Sequence, residues 1–200
     1  MMLKSNGNAA SRMSGVVMAL LACLAMNSLV AADDTEKTSD VQLKDLTLKV
    51  PASWEKAANT SSLRLATYKI PRTEGDKEDG ELTVYTFAGG GGGLEANLSR
   101  WVSQFASDGR KSKITQGKVG ENAYYIADIT GTYNKPIGPP FAQQTEATPG
   151  YRMLGVYLVL EGKGVYFLKL TGPDATVKAQ AEKLRKSFGA DAARETAFEL

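Results

Sequence analysis

Histidine is absent from this sequence of 200 residues, and cysteine occurs once, at Cys23. The missing imidazole excludes histidine acid–base catalysis and the Ser-His and Cys-His nucleophile pairs, and it removes a principal ligand of transition metals. Any catalysis would have to use carboxylates, lysine, tyrosine or serine. The composition therefore favours a non-catalytic protein, and we find no cofactor motif in the chain.

An excess of charge of one sign is also lacking. Without Lys4 and Arg12, which belong to the N-terminal leader described next, the 24 basic residues become 22 and equal the 22 acidic ones. Proteins that bind nucleic acid, or that attach to membranes through basic clusters, rely on concentrated positive charge. We therefore expect a protein or small-molecule partner and no nucleic acid.

Residues 1–32 have the order of a secretory signal peptide. The positive residues Lys4 and Arg12 precede a short apolar run at 16–26, and small residues follow up to Ala32. We expect cleavage after Ala32 and export to the periplasm or the extracellular space. Alternatively, Cys23 ends a lipobox, in which case it would be lipidated and would anchor the protein to a membrane.

The exported part is predicted to form one domain, at 45–189. Residues 33–44 are polar without periodicity and are predicted as a disordered lead-in, and residues 190–200 as a flexible tail. The most apolar segment is 151–170, in which both faces of each strand pattern are apolar around a break at 161–164. We interpret this segment as a hairpin in the middle of a sheet, covered by a helix on each face.

The remaining pattern predicts an α/β fold of the α+β type. Apolar residues with strand periodicity predict further strands, of which the first three would form an antiparallel meander, at 46–50, 63–70, 81–88, 113–119 and 123–133. Apolar residues at helical spacing predict a helix from Leu94 to Phe105 and a last helix at 174–188. The expected architecture is an α/β/α sandwich with a mainly antiparallel sheet of about seven strands.

Two segments resemble the PsbP family, which includes the extrinsic protein of photosystem II. Residues 48–54, LKVPASW, are similar to the apolar, proline, small-residue and tryptophan opening of that family, and the closing helix ends in LRKSF at 184–188. The element order over 45–188 is similar too. The resemblance implies a PsbP-like fold and an accessory role, because most PsbP-like proteins are non-enzymatic. Other stretches, among them PGYRMLG at 149–155, resemble small secreted bacterial proteins with no assigned function.

Two segments invite an ion-binding hypothesis but lack the required pattern. The glycines at 89–93 precede a helix, yet they lack the Gly-Lys-Ser/Thr ending of a phosphate-binding loop. The acidic segment 74–81 lacks the glycine and glutamate positions of an EF-hand loop. We interpret the first as a flexible connector and the second as a solvated turn, and we predict no metal site.

Residues 134–150 contain four prolines without periodicity and are predicted as a long loop. A free loop would expose its apolar groups, and prolines reduce the entropy that a loop loses on binding. We therefore name Phe141, Tyr151 and Arg152 as candidate binding residues. In the alternative, the loop folds back and covers a sheet edge.

Two charged residues interrupt predicted apolar strands, Asp128 and Arg152. Because a buried charge needs a partner, we expect a structural ion pair between them, or a pair between Arg152 and Glu146 of the loop. In the functional alternative, Arg152 binds an anion at the mouth of a cleft lined by the loop.

Two functions remain open. The first is an exported, non-catalytic accessory or binding module that engages a protein or a small ligand through residues 134–152. The second is an extracytoplasmic hydrolase that uses a carboxylate pair, Asp128 with Glu121 or with Glu146. A cleft with two close carboxylates would favour the hydrolase, and a flat apolar patch on the loop would favour the binding module.

Overall fold

The computed structural model describes residues 36–87, 91–138 and 143–200. The predicted signal peptide, Cys23 and Phe141 lie outside the described residues. The strands are β1 (Thr38–Leu43), β2 (Leu46–Pro51), β3 (Glu55–Ala57), β4 (Arg64–Ile70), β5 (Gly80–Thr86), β6 (Lys111–Val119), β7 (Asn122–Ile137), β8 (Gln144–Leu160), β9 (Gly164–Pro173) and β10 (Thr196–Ala197). The helices are α1 (Leu94–Ser103), α2 (Asp174–Ala179), α3 (Ala181–Ser187) and a 3-10 turn at Ala192–Arg194. Within these ranges, no helix combines the length and apolar character needed to cross a bilayer.

The described strands form an eight-stranded sheet in the order β10-β6-β7-β8-β9-β5-β4-β3, and β1 pairs with β2 separately. Neighbouring strands of the large sheet are antiparallel. The predicted α+β class with a mainly antiparallel sheet is therefore confirmed. The apolar hairpin β8–β9 lies at the centre of the strand order, between β7 and β5.

The alternation of side chains along β8 divides the core in two. Leu154 and Val156 belong to one buried cluster, which also contains Val177 of α2 and Leu184 of α3. Met153 and Tyr157, which point to the other side of the sheet, belong to a second buried cluster together with Leu98 and Trp101 of α1. The helices thus pack on opposite faces of β8, and we call these the α3 face and the α1 face.

Two sequence predictions near the N-terminus need correction. Residues 33–44 were predicted to be disordered, but Thr38–Leu43 pair with β2 over six residues. The predicted meander is wrong in its first member, because β2 pairs with β1 and only β4 and β5 pair with each other. Leu48 is fully buried in the core of the α3 face, so the β1–β2 hairpin packs over that face.

The predicted loop at 134–150 is mostly an extension of two strands. β7 continues to Ile137 and β8 begins at Gln144, and the two stay paired from Tyr133↔Thr148 to Ile137↔Gln144. We call residues 133–137 and 144–151 the hairpin stem. Polar residues exposed on both sides leave no apolar alternation in this stretch, so periodicity could not reveal the strands.

The C-terminal region also differs from its prediction. The last helix bends at Gln180 into α2 and α3, and the Gln180 Oε1 accepts a hydrogen bond of 3.0 Å from the Trp54 indole. The predicted flexible tail contains β10, which pairs with β6. Glu195 of the tail accepts hydrogen bonds from Arg185 Nε at 2.7 Å and Nη2 at 3.0 Å. The tail is therefore fixed to the body of the domain.

Candidate functional site

A cleft opens on the α1 face because α1 covers only part of it. Helix α1 contacts β7 and β8. At Gly155 of β8, Trp101 lies so close that an added Cβ would come within 2.6 Å of its ring. Moving across the sheet from Gly155, the residues in register are Lys169, Thr83, Thr67 and Ala57. These side chains leave the outer part of the face uncovered, since most of them are short.

The cleft has a volume of about 540 Å³. Its floor consists of side chains from β4, β5 and β9, and one wall is the hairpin stem. The lining includes Arg64, Thr67, Lys69, Glu78, Asp79, Glu81, Thr83, Tyr85, Tyr133, Lys135, Pro136, Tyr151, Lys169 and Thr171. A cavity of this size with converging polar groups is typical of small-molecule sites.

Lys169 is the central cation of the floor. Its Nζ donates to Gln104 Oε1 at 2.7 Å and to the Tyr133 hydroxyl at 3.0 Å, and both acceptors are neutral. In the described ranges no carboxylate lies within 4.0 Å of this ammonium group. Burial lowers the pKa of Lys169 from 10.5 to about 8. An ammonium group has three donors, so one remains for a ligand.

Two tyrosines and two lysines form a stack beside the floor. The Lys169 Nζ lies 5.2 Å from the centre of the Tyr133 ring, which stacks on Tyr151 at 5.8 Å and an interplanar angle of 9°. The Lys135 Nζ lies 5.6 Å from the centre of the Tyr151 ring. Burial raises the pKa of Tyr133 to about 12, so its phenol stays neutral. The stack fixes Lys169 in place through cation–π contact.

The hairpin stem supplies a charged wall. Lys135 Nζ donates to Glu78 Oε2 at 2.6 Å and to the Tyr151 hydroxyl at 3.3 Å. The hydrogen bond from Lys135 lowers the pKa of Glu78, and the same bond raises the pKa of Lys135. Both side chains are therefore ionised over the neutral pH range. Their ion pair connects the hairpin stem to the loop between β4 and β5.

Arg64 forms the opposite wall. Its Nη1 lies 3.2 Å from Glu81 Oε1, and its guanidinium lies 5.9 Å from the centre of the Tyr85 ring. Two buried polar atoms of the lining, Arg64 Nε and Thr171 Oγ1, have no hydrogen-bond partner among the described residues. Buried polar groups are normally satisfied, so these two unpartnered atoms are exceptions that belong to residues of the cleft lining.

The structure separates the residues that the sequence named as a binding site. Tyr151 is in the cleft lining but only 5% exposed, because it is stacked on Tyr133. Arg152 points to the α3 face, away from the cleft. There its Nε and Nη2 donate to the two oxygens of Asp128 at 2.7 and 2.5 Å, and its Nη1 donates to Asp174 at 3.2 Å. Asp128 and Arg152 thus form the ion pair that we expected.

The carboxylates proposed for hydrolysis are not brought together. Asp128 is in register with Leu154, eight positions from Glu146 along β8, which is about 25 Å at the rise of a strand. Glu121 precedes the start of β7 and lies about 20 Å from Asp128 by the same measure. Glycosidase carboxylates lie roughly 5–10 Å apart. Neither pair fits that geometry.

The acidic segment at 74–81 has other partners for its carboxylates. Asp76 accepts from the Thr176 amide at 2.9 Å, and Asp79 accepts from the Arg72 amide at 2.9 Å. The described part of the chain contains no group of three or more His, Cys, Asp or Glu side chains arranged to hold a metal. The segment thus joins β4 to β5 and contacts α2.

Lys169 was missed at the sequence level although a signal was present. It is a lysine inside the apolar strand VYFLKL, which is the criterion that selected Asp128 and Arg152. Lys135 and Pro136 lie in the segment that the sequence predicts as a loop, and neither was named as a candidate binding residue. Arg64 carried no signal, because a charged residue at the start of a strand is ordinary.

Comparison with known proteins does not extend this description. The sequence matches no protein-family model, and no curated protein is significantly similar to it.

Proposed function

We propose that this protein is an exported, non-catalytic accessory or binding module that holds a small ligand in the cleft beside α1. The observation that carries the proposal is the position of the hairpin stem, whose Lys135, Pro136 and Tyr151 line that cleft. The stem lies within residues 134–152, the region favoured from the sequence. The signal-peptide pattern at 1–32 supports export.

The charge state of the cleft supports binding rather than hydrolysis. A carboxylate-dependent hydrolase needs one carboxyl group that stays protonated beside a second that is ionised. Hydrogen bonds lower the pKa of Glu78, from Lys135, and of Asp79, from the Arg72 amide. Both carboxylates are therefore ionised and engaged at neutral pH, which suits a site that orients a polar ligand.

The fold is compatible with an accessory protein. Helices on opposite faces of a mainly antiparallel sheet support the PsbP-like α/β/α arrangement that we propose for the domain. Fold likeness alone does not transmit function. The open part of the α1 face is the surface on which a binding role would depend.

The proposal is tested by blocking the cleft from its rim in the full exported chain. Ala57 lines the cleft on the short edge strand β3, so Ala57→Trp fills the opening with little disturbance of the core. Thr47→Trp, at an exposed position of β2, is the matched control, because it adds the same ring away from the cleft. The probes are D-glucose, D-glucuronate, L-glutamate, acetate and inorganic phosphate, observed by ligand-detected NMR.

We expect at least one probe to bind the wild-type protein and Thr47→Trp and to lose binding in Ala57→Trp. Circular dichroism checks that both variants are folded. If no probe distinguishes the two variants, the cleft is not a small-molecule site and the proposal fails.

A further inference from the structure

The ligand class follows from the charges that line the cleft, and this step rests on the binding function proposed above. In the described lining, the cations are Arg64, Lys69, Lys135 and Lys169, and the carboxylates are Glu78, Asp79 and Glu81. Arg64 pairs with Glu81, Lys135 pairs with Glu78, and Lys69 pairs with Asp79 at 3.2 Å. The positive charge left over is that of Lys169.

Lys169 is costly to bury without an anion. Desolvation disfavours an ammonium group, and the lowered pKa of Lys169 reflects this cost. Gln104 and Tyr133 give it two neutral acceptors, which replace part of its hydration but none of the missing countercharge. A residue whose burial destabilises the fold is expected at a functional site, such as a ligand-binding site.

Two other residues of the lining have a buried donor without an acceptor among the described residues. Thr171 is two residues from Lys169 along β9 and on the same face, about 7 Å away, and its hydroxyl is buried without a partner. Arg64 Nε is likewise buried and unpaired, and Arg64 Nη1 lies 3.5 Å from Thr67 Oγ1 in the register row that leads to Lys169. The lining of the cleft thus combines an ammonium group, a guanidinium group and a hydroxyl group, from Lys169, Arg64 and Thr171.

The three carboxylates set an upper limit on the charge of that occupant. A dianion would gain from Lys169 but would meet repulsion from Glu78, Asp79 and Glu81, whereas a monoanion balances the single uncompensated charge. The same carboxylates accept hydrogen bonds, and they suit hydroxyl groups on the ligand. We propose that the cleft binds a small hydroxylated organic monocarboxylate, with its carboxylate at Lys169.

The test uses the full exported chain and three probes. D-glucuronate carries one carboxylate on a hydroxylated ring, D-glucose is its neutral counterpart, and inorganic phosphate is an oxyanion without an organic body. Binding is measured by NMR titration, following the backbone amides of Lys169 and Thr171. The variants are Lys169→Met, which removes the charge, and Lys163→Met, which removes an equal charge in the exposed β8–β9 turn.

We expect D-glucuronate to bind and to shift the amides of both cleft residues. Lys169→Met should weaken its binding roughly tenfold or more, as for a lost hydrogen bond to a charged group. Lys163→Met should leave it unchanged. Thr171→Val, which keeps the shape of the floor, should weaken binding by a smaller factor, and it serves if Lys169→Met does not fold.

Other outcomes reject the inference in distinguishable ways. If D-glucose binds as tightly as D-glucuronate and Lys169→Met has no effect, the carboxylate assignment fails but the cleft remains a binding site. If phosphate is the only probe that binds, the inference that the ligand is an organic molecule is wrong. If no probe shifts the amides of Lys169 and Thr171, the inference fails, and the rim-blocking experiment then decides whether the binding function fails with it.

Discussion

The hairpin at the centre of the sheet contains two cations with different surroundings. Arg152 on the α3 face is neutralised by Asp128 and Asp174, so it is a structural residue. Among the described residues, the acceptors of Lys169 on the α1 face are the neutral side chains of Gln104 and Tyr133. Residues of similar charge in neighbouring strands therefore differ in role because of which face they occupy, and strand alternation decides the face.

The buried ammonium of Lys169 predicts an unusual dependence of stability on pH. Its pKa of about 8 in the folded state lies below the ordinary 10.5, so the unfolded chain binds more protons between these values. The free energy of unfolding therefore rises with pH in this window, and the cost of burial is fully present below pH 8. Lys169→Met should lack this rise.

The measurement is urea unfolding of wild-type protein and Lys169→Met at about pH 7 and about pH 10. Between these pH values, the free energy of unfolding should increase more in the wild-type protein than in the variant, by on the order of 2 kcal/mol. The charged and titratable groups that act on Lys169 or contact it are Glu81, Arg64, Arg100 and Tyr133. All four groups are retained in the variant, so they contribute to the pH dependence of both proteins and their effect cancels in the comparison. Parallel stability curves would contradict the low pKa.

Helix α1 is the element that decides where the cleft begins, and its position depends on one glycine. A Cβ at Gly155 would lie 2.6 Å from Trp101 Cε3 and 2.9 Å from its Cδ2. Gly155→Ala should therefore lift the helix or distort the strand. We expect a loss of about 1–3 kcal/mol, as for overpacked cores, measured by urea unfolding.

A second background isolates the cause of this loss. In Trp101→Leu the ring atoms that the new methyl group would meet are removed, so Gly155→Ala should cost much less there. An equal cost in both backgrounds would show that the effect comes from strand propensity and not from contact with α1.

Local pattern was sufficient for some elements and insufficient for others. Residues 63–70, 81–88 and 113–119 were predicted as strands and correspond to β4, β5 and β6, because each has apolar side chains at strand periodicity. β1 and the hairpin stem were missed because their side chains are mostly exposed and polar. Such strands are held by backbone pairing with a neighbour, which leaves little trace in the sequence.

The candidate site was predictable only in part, because it depends on tertiary packing that local sequence patterns do not show. A lysine within an apolar strand was visible in the sequence at Lys169. That part of this face is open depends on the position of α1 over β7 and β8, which strand periodicity does not show. The pairing of Arg64 with Glu81 and of Lys135 with Glu78 depends in the same way on strand register and loop position.

At the scale of the whole molecule, the C-terminal tail joins the last helix to the sheet. Glu195 accepts from Arg185 of α3 and from Thr115 of β6 at 2.8 Å, and its side chain is 5% exposed. Removing its charge leaves the Arg185 guanidinium, 12% exposed, without its partner. We expect Glu195→Gln to destabilise the protein by about 3 kcal/mol, measured by thermal or urea unfolding.

Glu199→Gln is the matched control, since Glu199 is exposed in the same tail. It should change stability by less than about 0.5 kcal/mol. A similar small effect at Glu195 would mean that the tail contributes little, as the sequence had suggested.

The strand order has a consequence for synthesis of the chain. Strand β5 pairs with β9, from Glu81↔Thr171 to Thr86↔Tyr166, so β3, β4 and β5 join the rest of the sheet only after the ribosome has passed these β9 residues. Until then, β3, β4 and β5 have an unpaired inner edge next to an incomplete apolar surface. The nascent chain thus cannot close its sheet before β9 has been synthesised.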